Sequence, residues 1–162
     1  MKKLMIPIVL ALVVIIGVFI VFNGDDNREI KVINNDTELL VSFDEVKTSQ
    51  NSTTFPVVVR SSGSVPVEAE YTGIELITFL EEKDVKIENF KSITFNASDG
   101  YRIILSSEDI SEPLNVYLTY ERDGEDLLPK SKGGNGPFQL VIRKDPFSQR
   151  WIKHVEEIII NY

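Results

Sequence analysis

The pattern of hydrophobic and polar positions divides the chain into an apolar N-terminal run and a longer mixed region. Residues 4–22 are nineteen consecutive uncharged and almost wholly apolar residues. A helix of that length rises roughly 28 Å at about 1.5 Å per residue, which is close to the thickness of a bilayer core. The pattern therefore predicts a transmembrane helix over residues 4–22, preceded by a short segment over residues 1–3.

The charges on either side of the apolar run predict its orientation. Lys2 and Lys3 precede it, and Asp25 and Asp26 follow it. Because positive charge is retained on the cytoplasmic side, we expect a cytoplasmic N-terminus and an extracytoplasmic remainder at the cell membrane. A cleaved signal peptide is the alternative, but the run ends in VFIVFNGDD without a small-x-small cleavage site. We therefore favour an uncleaved, single-pass signal anchor.

Strand patterns dominate the rest of the chain. Residues 23–36 are polar and predict a tether, in which the apolar patch IKVI can contribute a first strand. Alternating or β-branched apolar residues predict further strands at 55–62, 90–97, 101–105, 114–121, 138–142 and the end of the chain. Asp-Gly pairs at 99–100 and 123–124 predict turns.

Three short helices are predicted between these strands. Ser42–Glu45 and Thr72–Glu75 each place a hydroxyl residue three positions before a glutamate, which is the spacing of a capping box. The first predicts a short helix from Phe43 to about Thr48. The second, with an apolar stripe of Leu76, Ile77, Phe79 and Leu80, predicts a helix that ends near Lys83. A third helical turn fits SSEDI. Few helices among many strands predict a single α+β domain over residues 37–162.

Composition excludes several classes of function. The 140 residues after Phe22 carry all 25 acidic side chains and 15 of the 17 basic ones, a net charge of −10. A nucleic-acid partner is therefore not expected, because phosphate contacts require a basic surface. The chain has no cysteine and one histidine, His154, so disulfides, thiolate nucleophiles, Fe–S clusters and multi-histidine metal sites within the chain are excluded.

A glycine-rich loop, KSKGGNGPFQLVIRK at 130–144, is the main candidate for ligand chemistry. Gly133, Gly134 and Gly136 have two interpretations. Their backbone N–H groups can cradle an anion, or the glycines can simply admit positive φ in a loop between strands.

Five segments in order carry a family resemblance: YTGIELITFLEEKDV, ITFNASDGYRIILSSEDI, VYLTYERDGEDL, GGNGPFQLVI and RWIKHVEEIII. Together they resemble the oxidoreductase molybdopterin-binding domain, which has the sulfite-oxidase-type fold. The resemblance covers roughly residues 42–160 and implies a molybdopterin cofactor. In full enzymes of this family, one cysteine also ligates the molybdenum, and its position falls at about Ser61, with Ser62 as the alternative. A serine alkoxide is a harder and less covalent ligand than a thiolate, which argues against the usual sulfite-type oxygen transfer.

The resemblance also implies contacts to the cofactor. Family members often carry an arginine two places after the loop proline, where this chain has the neutral Gln139. Arg150 and Lys153 occupy the basic positions of the family's last segment. The candidate cofactor-binding residues are Gly133, Gly134, Gly136, Arg143, Arg150, Lys153, Asp99 and Tyr101, with Lys130 and Lys132 as further cations.

No catalytic residue is assigned. Trp151 is expected to anchor the core, and His154 is expected at the surface or in packing. Two functions remain. The first is a membrane-anchored, molybdopterin-binding oxidoreductase domain that passes electrons to a redox partner. The second is a cofactor-free descendant of that fold, acting outside the cytoplasm as a binding or interaction module.

Overall fold

The computed structural model describes residues 28–60 and 63–162. The predicted anchor over residues 4–22, the charges around it, Ser61 and Ser62 all lie outside the described residues. No helix within the described ranges is long and apolar enough to cross a membrane.

The described part of the chain contains ten strands, three short α-helices and two 3-10 helices, Lys130–Lys132 and Ser148–Arg150. The α-helices are α1 (Phe43–Lys47), α2 (Leu76–Glu82) and α3 (Ser107–Ser111). The strands are β1 (Glu29–Asn34), β2 (Thr37–Ser42), β3 (Thr53–Val59), β4 (Val67–Glu75), β5 (Ser92–Ala97), β6 (Arg102–Ser106), β7 (Val116–Arg122), β8 (Glu125–Asp126), β9 (Gln139–Ile142) and β10 (Val155–Asn161). The prediction of a strand-rich domain with short helices is confirmed.

The strands form two five-stranded sheets. The first has the order β2-β1-β10-β5-β6, in which β1 and β10 are parallel and all other pairs are antiparallel. The second has the order β3-β4-β7-β8, and β9 also pairs with β7. One continuous cluster of buried apolar side chains draws on both sheets and all three α-helices.

The first strand lies inside the folded domain. Residues 23–36 were predicted as a tether in which the IKVI patch can contribute a first strand, and Glu29–Asn34 is a strand that pairs with β2 on one side and with β10 on the other. Ile30 and Val32 are buried in the core. The domain therefore includes this segment and does not start at residue 37, because the IKVI patch is buried between two strands.

The two predicted capping boxes have different outcomes. The Ser42 side chain accepts a hydrogen bond from the Glu45 backbone, and the Glu45 carboxylate accepts one from the Ser42 backbone, so the first box is confirmed. The prediction at Thr72 is wrong. Strand β4 continues through Glu75, which is the N-cap of α2 and makes no side-chain cap bond. The Thr72 hydroxyl instead lies 2.9 Å from that of Thr54 on β3.

Candidate ligand-binding cleft

The backbone N–H groups of the glycine loop bond within the loop itself. Gly133 donates to the Lys130 carbonyl at 2.9 Å, Gly134 to Pro129 at 3.2 Å and Gly136 to Leu128 at 2.8 Å. A peptide N–H that already donates to a carbonyl is not free to bind an anion. The geometry therefore favours the interpretation as a folded connection over that as a phosphate cradle.

Two glycines in this loop are required by close packing. A Cβ on Gly134 would overlap the carbonyl of Leu128, and one on Gly136 would overlap that of Leu127. His154 holds the loop from the other side, since its Nδ1 donates to the Gly136 carbonyl at 3.0 Å. The buried His154 therefore packs against the loop, in agreement with the packing role expected of it.

Gln139, at the position of the family's loop arginine, is inside the protein. It is 3% exposed on β9, and its carbonyl accepts a hydrogen bond from the Thr119 hydroxyl at 2.8 Å. Its side-chain Oε1 is buried and has no hydrogen-bond partner in the structure. The side chain is therefore neutral and enclosed, so it cannot provide the charged fork that an arginine offers to a phosphate.

Arg150 is held by two carboxylates. Its guanidinium donates to both oxygens of Asp109, at 2.9 and 3.2 Å, and to both oxygens of Asp145. These bonds raise the pKa of Arg150, chiefly through Asp145 and then Asp109. The hydrogen bond from Arg150 is also the main reason that the pKa of Asp109 lies below its usual value. Arg150 therefore ties α3 to the segment after β9.

The remaining predicted residues do not converge on one site. Asp99 caps the β5–β6 turn by accepting from the Tyr101 backbone N–H at 3.0 Å, while the exposed Tyr101 hydroxyl lies 3.4 Å from the Gln149 carbonyl. Lys153 is exposed. Gly136 and His154 line an open cleft of about 690 Å³ at the glycine loop, away from Arg143.

Arg143 lies in a different cleft, which we call the β3 cleft. It is open and has a volume of about 690 Å³. Its lining combines apolar side chains with charged ones: Pro56, Val57, Val58, Leu114 and Trp151 with Arg60, Glu68, Arg143, Lys144 and Asp145. Apolar walls with a few converging charged groups are typical of small-molecule sites.

Aromatic rings hold the Arg143 side chain in place. Its guanidinium lies 4.8 Å from the ring centre of Phe55 and 5.6 Å from that of Tyr117. No ion pair joins Arg143 to a carboxylate within residues 28–60 and 63–162. The cation is thus stabilised by the faces of two rings while its N–H donors remain available to a ligand.

A buried asparagine fixes the backbone that carries this arginine. The Asn115 carbonyl accepts from the Arg143 N–H at 2.8 Å, and its side-chain oxygen accepts from the Lys144 N–H at 3.1 Å. The amide nitrogen of the same side chain donates to the Asp109 carbonyl at 3.0 Å. Asn115 is 2% exposed, so these bonds form in an environment shielded from water.

Leu114 contributes an unusual backbone geometry at the rim. It has φ +57° and is 58% exposed, although leucine rarely adopts the left-handed region. The Glu75 carboxylate accepts its N–H. Leu114 also lines a second cleft of about 520 Å³, which shares Arg143 and Pro56 with the β3 cleft. Strained backbone of this kind is enriched at binding sites.

Sequence reasoning named Arg143 but missed Arg60, Leu114 and Asn115. Arg60 and Leu114 lie at strand ends without a motif, and no local pattern marks either one. Asn115 could have been noticed as a polar residue at the start of an apolar strand pattern. Its role depends on Asp109 and Lys144, which the sequence alone does not place beside it.

Several of the residues expected to hold the molybdenum–pterin group are bonded within the protein instead. The glycine N–H groups and Arg150 are engaged within the protein, and Gln139 is buried. The position of the family's cysteine, Ser61, is outside the described residues.

Comparisons with known proteins identify a fold but no family. No family model matches the chain, and no curated protein matches it. Among solved structures, the chain is similar to the sulfane dehydrogenase SoxCD from Paracoccus pantotrophus, with a TM-score of 0.65 and 18% sequence identity. The match covers 82% of this chain and 38% of that one. The chain is therefore a strand-rich domain with a SoxCD-like fold, and it spans well under half the length of that protein.

Proposed function

We propose that the chain is a cofactor-free binding domain built on an oxidoreductase fold. The observation that supports this proposal is that four of the residues expected to hold a cofactor, the three loop glycines and Arg150, are bonded within the protein. The three glycine N–H groups bond to loop carbonyls, and Arg150 bonds to Asp109 and Asp145. Fold likeness does not transfer activity, since binding and catalytic sites vary independently of the fold.

The binding site in this proposal is the β3 cleft. Its cationic side chain Arg143 is free of carboxylates within the described residues, and the Asn115 bonds fix the backbone that carries it. A site whose backbone is already ordered loses less entropy when a ligand binds. The predicted N-terminal anchor would hold this domain at the outer face of the cell membrane, near a membrane-bound or secreted partner.

The second candidate is a molybdopterin-dependent oxidoreductase domain. It is favoured by the fold likeness to a protein named as a sulfane dehydrogenase and by the five-segment family resemblance. With no cysteine and one histidine, the chain has no ligand set for an Fe–S cluster or a bis-histidine haem, so such a domain would pass its electrons to a separate redox partner.

Metal and pterin content separate the two candidates. The full chain is expressed in a host that makes the molybdenum cofactor, purified in mild detergent, and assayed for molybdenum by mass spectrometry and for pterin by fluorescence. A known molybdenum enzyme prepared in parallel is the positive control. The binding-domain proposal predicts neither group in folded protein, whereas near-stoichiometric molybdenum would overturn it.

A further inference from the structure

We infer that the β3 cleft binds a small organic anion, with the acidic group on Arg143 and Arg60 and the apolar part against Trp151. This inference rests on the proposed binding function and names the class of ligand. Carboxylates, phosphate monoesters and sulfonates attached to a short apolar body share the required chemistry.

The charges that line the cleft favour an anion. Lys144 pairs with Glu112 at 2.7 Å, and Asp145 shares the Arg150 guanidinium with Asp109. Arg60 and Arg143 have no carboxylate partner within the described ranges, and Glu68 is the one remaining acidic side chain in the lining. The lining therefore carries three positive side chains against two negative ones, a net charge of +1 in a chain whose net charge is −8.

Both arginines are attached to ordered backbone. The Arg60 N–H donates to the Ser148 hydroxyl at 2.9 Å, and the Ser148 N–H donates to the Arg60 carbonyl at 3.1 Å. Arg143 is held by the two aromatic rings and by Asn115. A guanidinium presents its donors in a planar fork, which matches two oxygens of a carboxylate, phosphate or sulfonate.

The apolar lining favours a ligand that is more than a bare inorganic ion. Val57, Leu114 and Trp151 line the same cleft as the arginines. The Trp151 indole N–H donates to the Ile142 carbonyl at 3.0 Å, which fixes the ring orientation. A cleft of about 690 Å³ falls within the typical range of about 300–1,000 Å³ for sites of small organic ligands.

The single tryptophan makes the cleft directly observable, because all tryptophan fluorescence comes from Trp151. The full chain in detergent is titrated with hexanoate, hexyl phosphate and hexane-1-sulfonate, below their micelle-forming concentrations. Hexan-1-ol tests for apolar binding alone, and inorganic phosphate tests for charge alone. Calorimetric titration of the same samples detects binding that leaves the fluorescence unchanged.

We expect saturable binding of at least one hexyl anion, and at least about tenfold weaker binding of hexan-1-ol and of inorganic phosphate. Arg143→Gln should weaken that binding about tenfold, the loss expected for one charge-assisted pair. Arg60→Gln should weaken it in the same direction. The matched control Lys91→Gln removes one exposed positive charge that does not line the cleft, and it should leave the affinity within about twofold. Thermal unfolding of each variant verifies that it is folded.

Equal binding of hexan-1-ol, or unchanged affinity in both arginine variants, would overturn the inference. So would the absence of binding by both fluorescence and calorimetry. Molybdenum is measured on the same preparation, which separates the two proposals. If the protein contains no molybdenum and binds no anion, only the ligand class is rejected. If it contains near-stoichiometric molybdenum, the binding-domain function itself is rejected.

Discussion

Replacing Arg150 should reduce the stability of the fold. The substitution Arg150→Gln removes a guanidinium that donates to Asp109 and Asp145 and joins α3 to the segment after β9. The Asp145 side chain is 9% exposed, so its carboxylate would lose its partner in a place that water scarcely reaches. The Arg150 side chain itself is 44% exposed, which screens the interaction.

The expected cost lies between two limits. Breaking a fully buried ion pair costs about 3–5 kcal/mol, whereas an exposed pair contributes about 0–1 kcal/mol. Because Arg150 is half-exposed and has one buried and one partly buried partner, we expect Arg150→Gln to lower the free energy of unfolding by about 2 kcal/mol. For a domain of this size, that cost corresponds to a fall of roughly 6 °C in Tm.

The cost should also depend on pH. Arg150 lowers the pKa of folded Asp109 below its unfolded value of about 3.9. A lowered pKa in the folded state gives stability that is present above the unfolded pKa and is lost as pH falls through the folded pKa. The difference between wild type and Arg150→Gln should therefore be constant from pH 7 to about pH 5 and shrink below about pH 4.

Urea and thermal unfolding, followed by circular dichroism at several pH values, measure this difference. The matched control is Lys144→Gln on the same segment, because Lys144 and Glu112 are each about half exposed. Its cost should stay within about 0.5 kcal/mol. If Arg150→Gln is no more destabilising than Lys144→Gln, or if its cost is unchanged at pH 3, then Arg150 is not a structural support and its assignment must be reconsidered.

Three further outcomes are expected. Gly134→Ala and Gly136→Ala should each destabilise the fold by more than about 2 kcal/mol, because the added Cβ would overlap backbone atoms. Gly133→Ala should cost about 1 kcal/mol, because Gly133 has φ +75° but open space around it. Equal costs of the three variants in urea unfolding would contradict this order. Ser42→Ala should lower the free energy of unfolding by about 1 kcal/mol, because it removes the capping box at the start of α1. Thr72→Ala should lower it by less than about 0.5 kcal/mol, because Thr72 does not cap α2. The reverse order in urea unfolding would refute these two assignments. The full chain should sediment with membranes and resist extraction by carbonate, and recovery of a shortened chain from the medium would show cleavage instead.

Features that depend on local spacing could be predicted from the sequence. Ser42 and Glu45 are three residues apart and satisfy each other within one helical turn, so the start of α1 needed no knowledge of distant residues. The same spacing failed at Thr72 because pairing with β7 holds residues 71–75 in strand β4. That pairing partner is more than forty residues away, and local spacing contains no information about it.

The candidate site depended still more on distant contacts. Arg150 was predicted to bind the cofactor because its basic type and position fitted the family pattern. Of its two actual partners, Asp145 is five residues earlier in the chain and Asp109 is 41 residues earlier. Two aromatic rings hold Arg143, those of Phe55 and Tyr117. They belong to separate strands that only the folded sheet brings together. Residue type alone therefore identified cations, but not which of them were already paired.

Molybdenum content of the full chain, purified from a host that makes the molybdenum cofactor, tests the central claim most directly. The claim is that this SoxCD-like fold serves here as a binding domain without a molybdenum centre. Folded protein with molybdenum and pterin near background is the predicted result. Near-stoichiometric molybdenum accompanied by pterin fluorescence would contradict it.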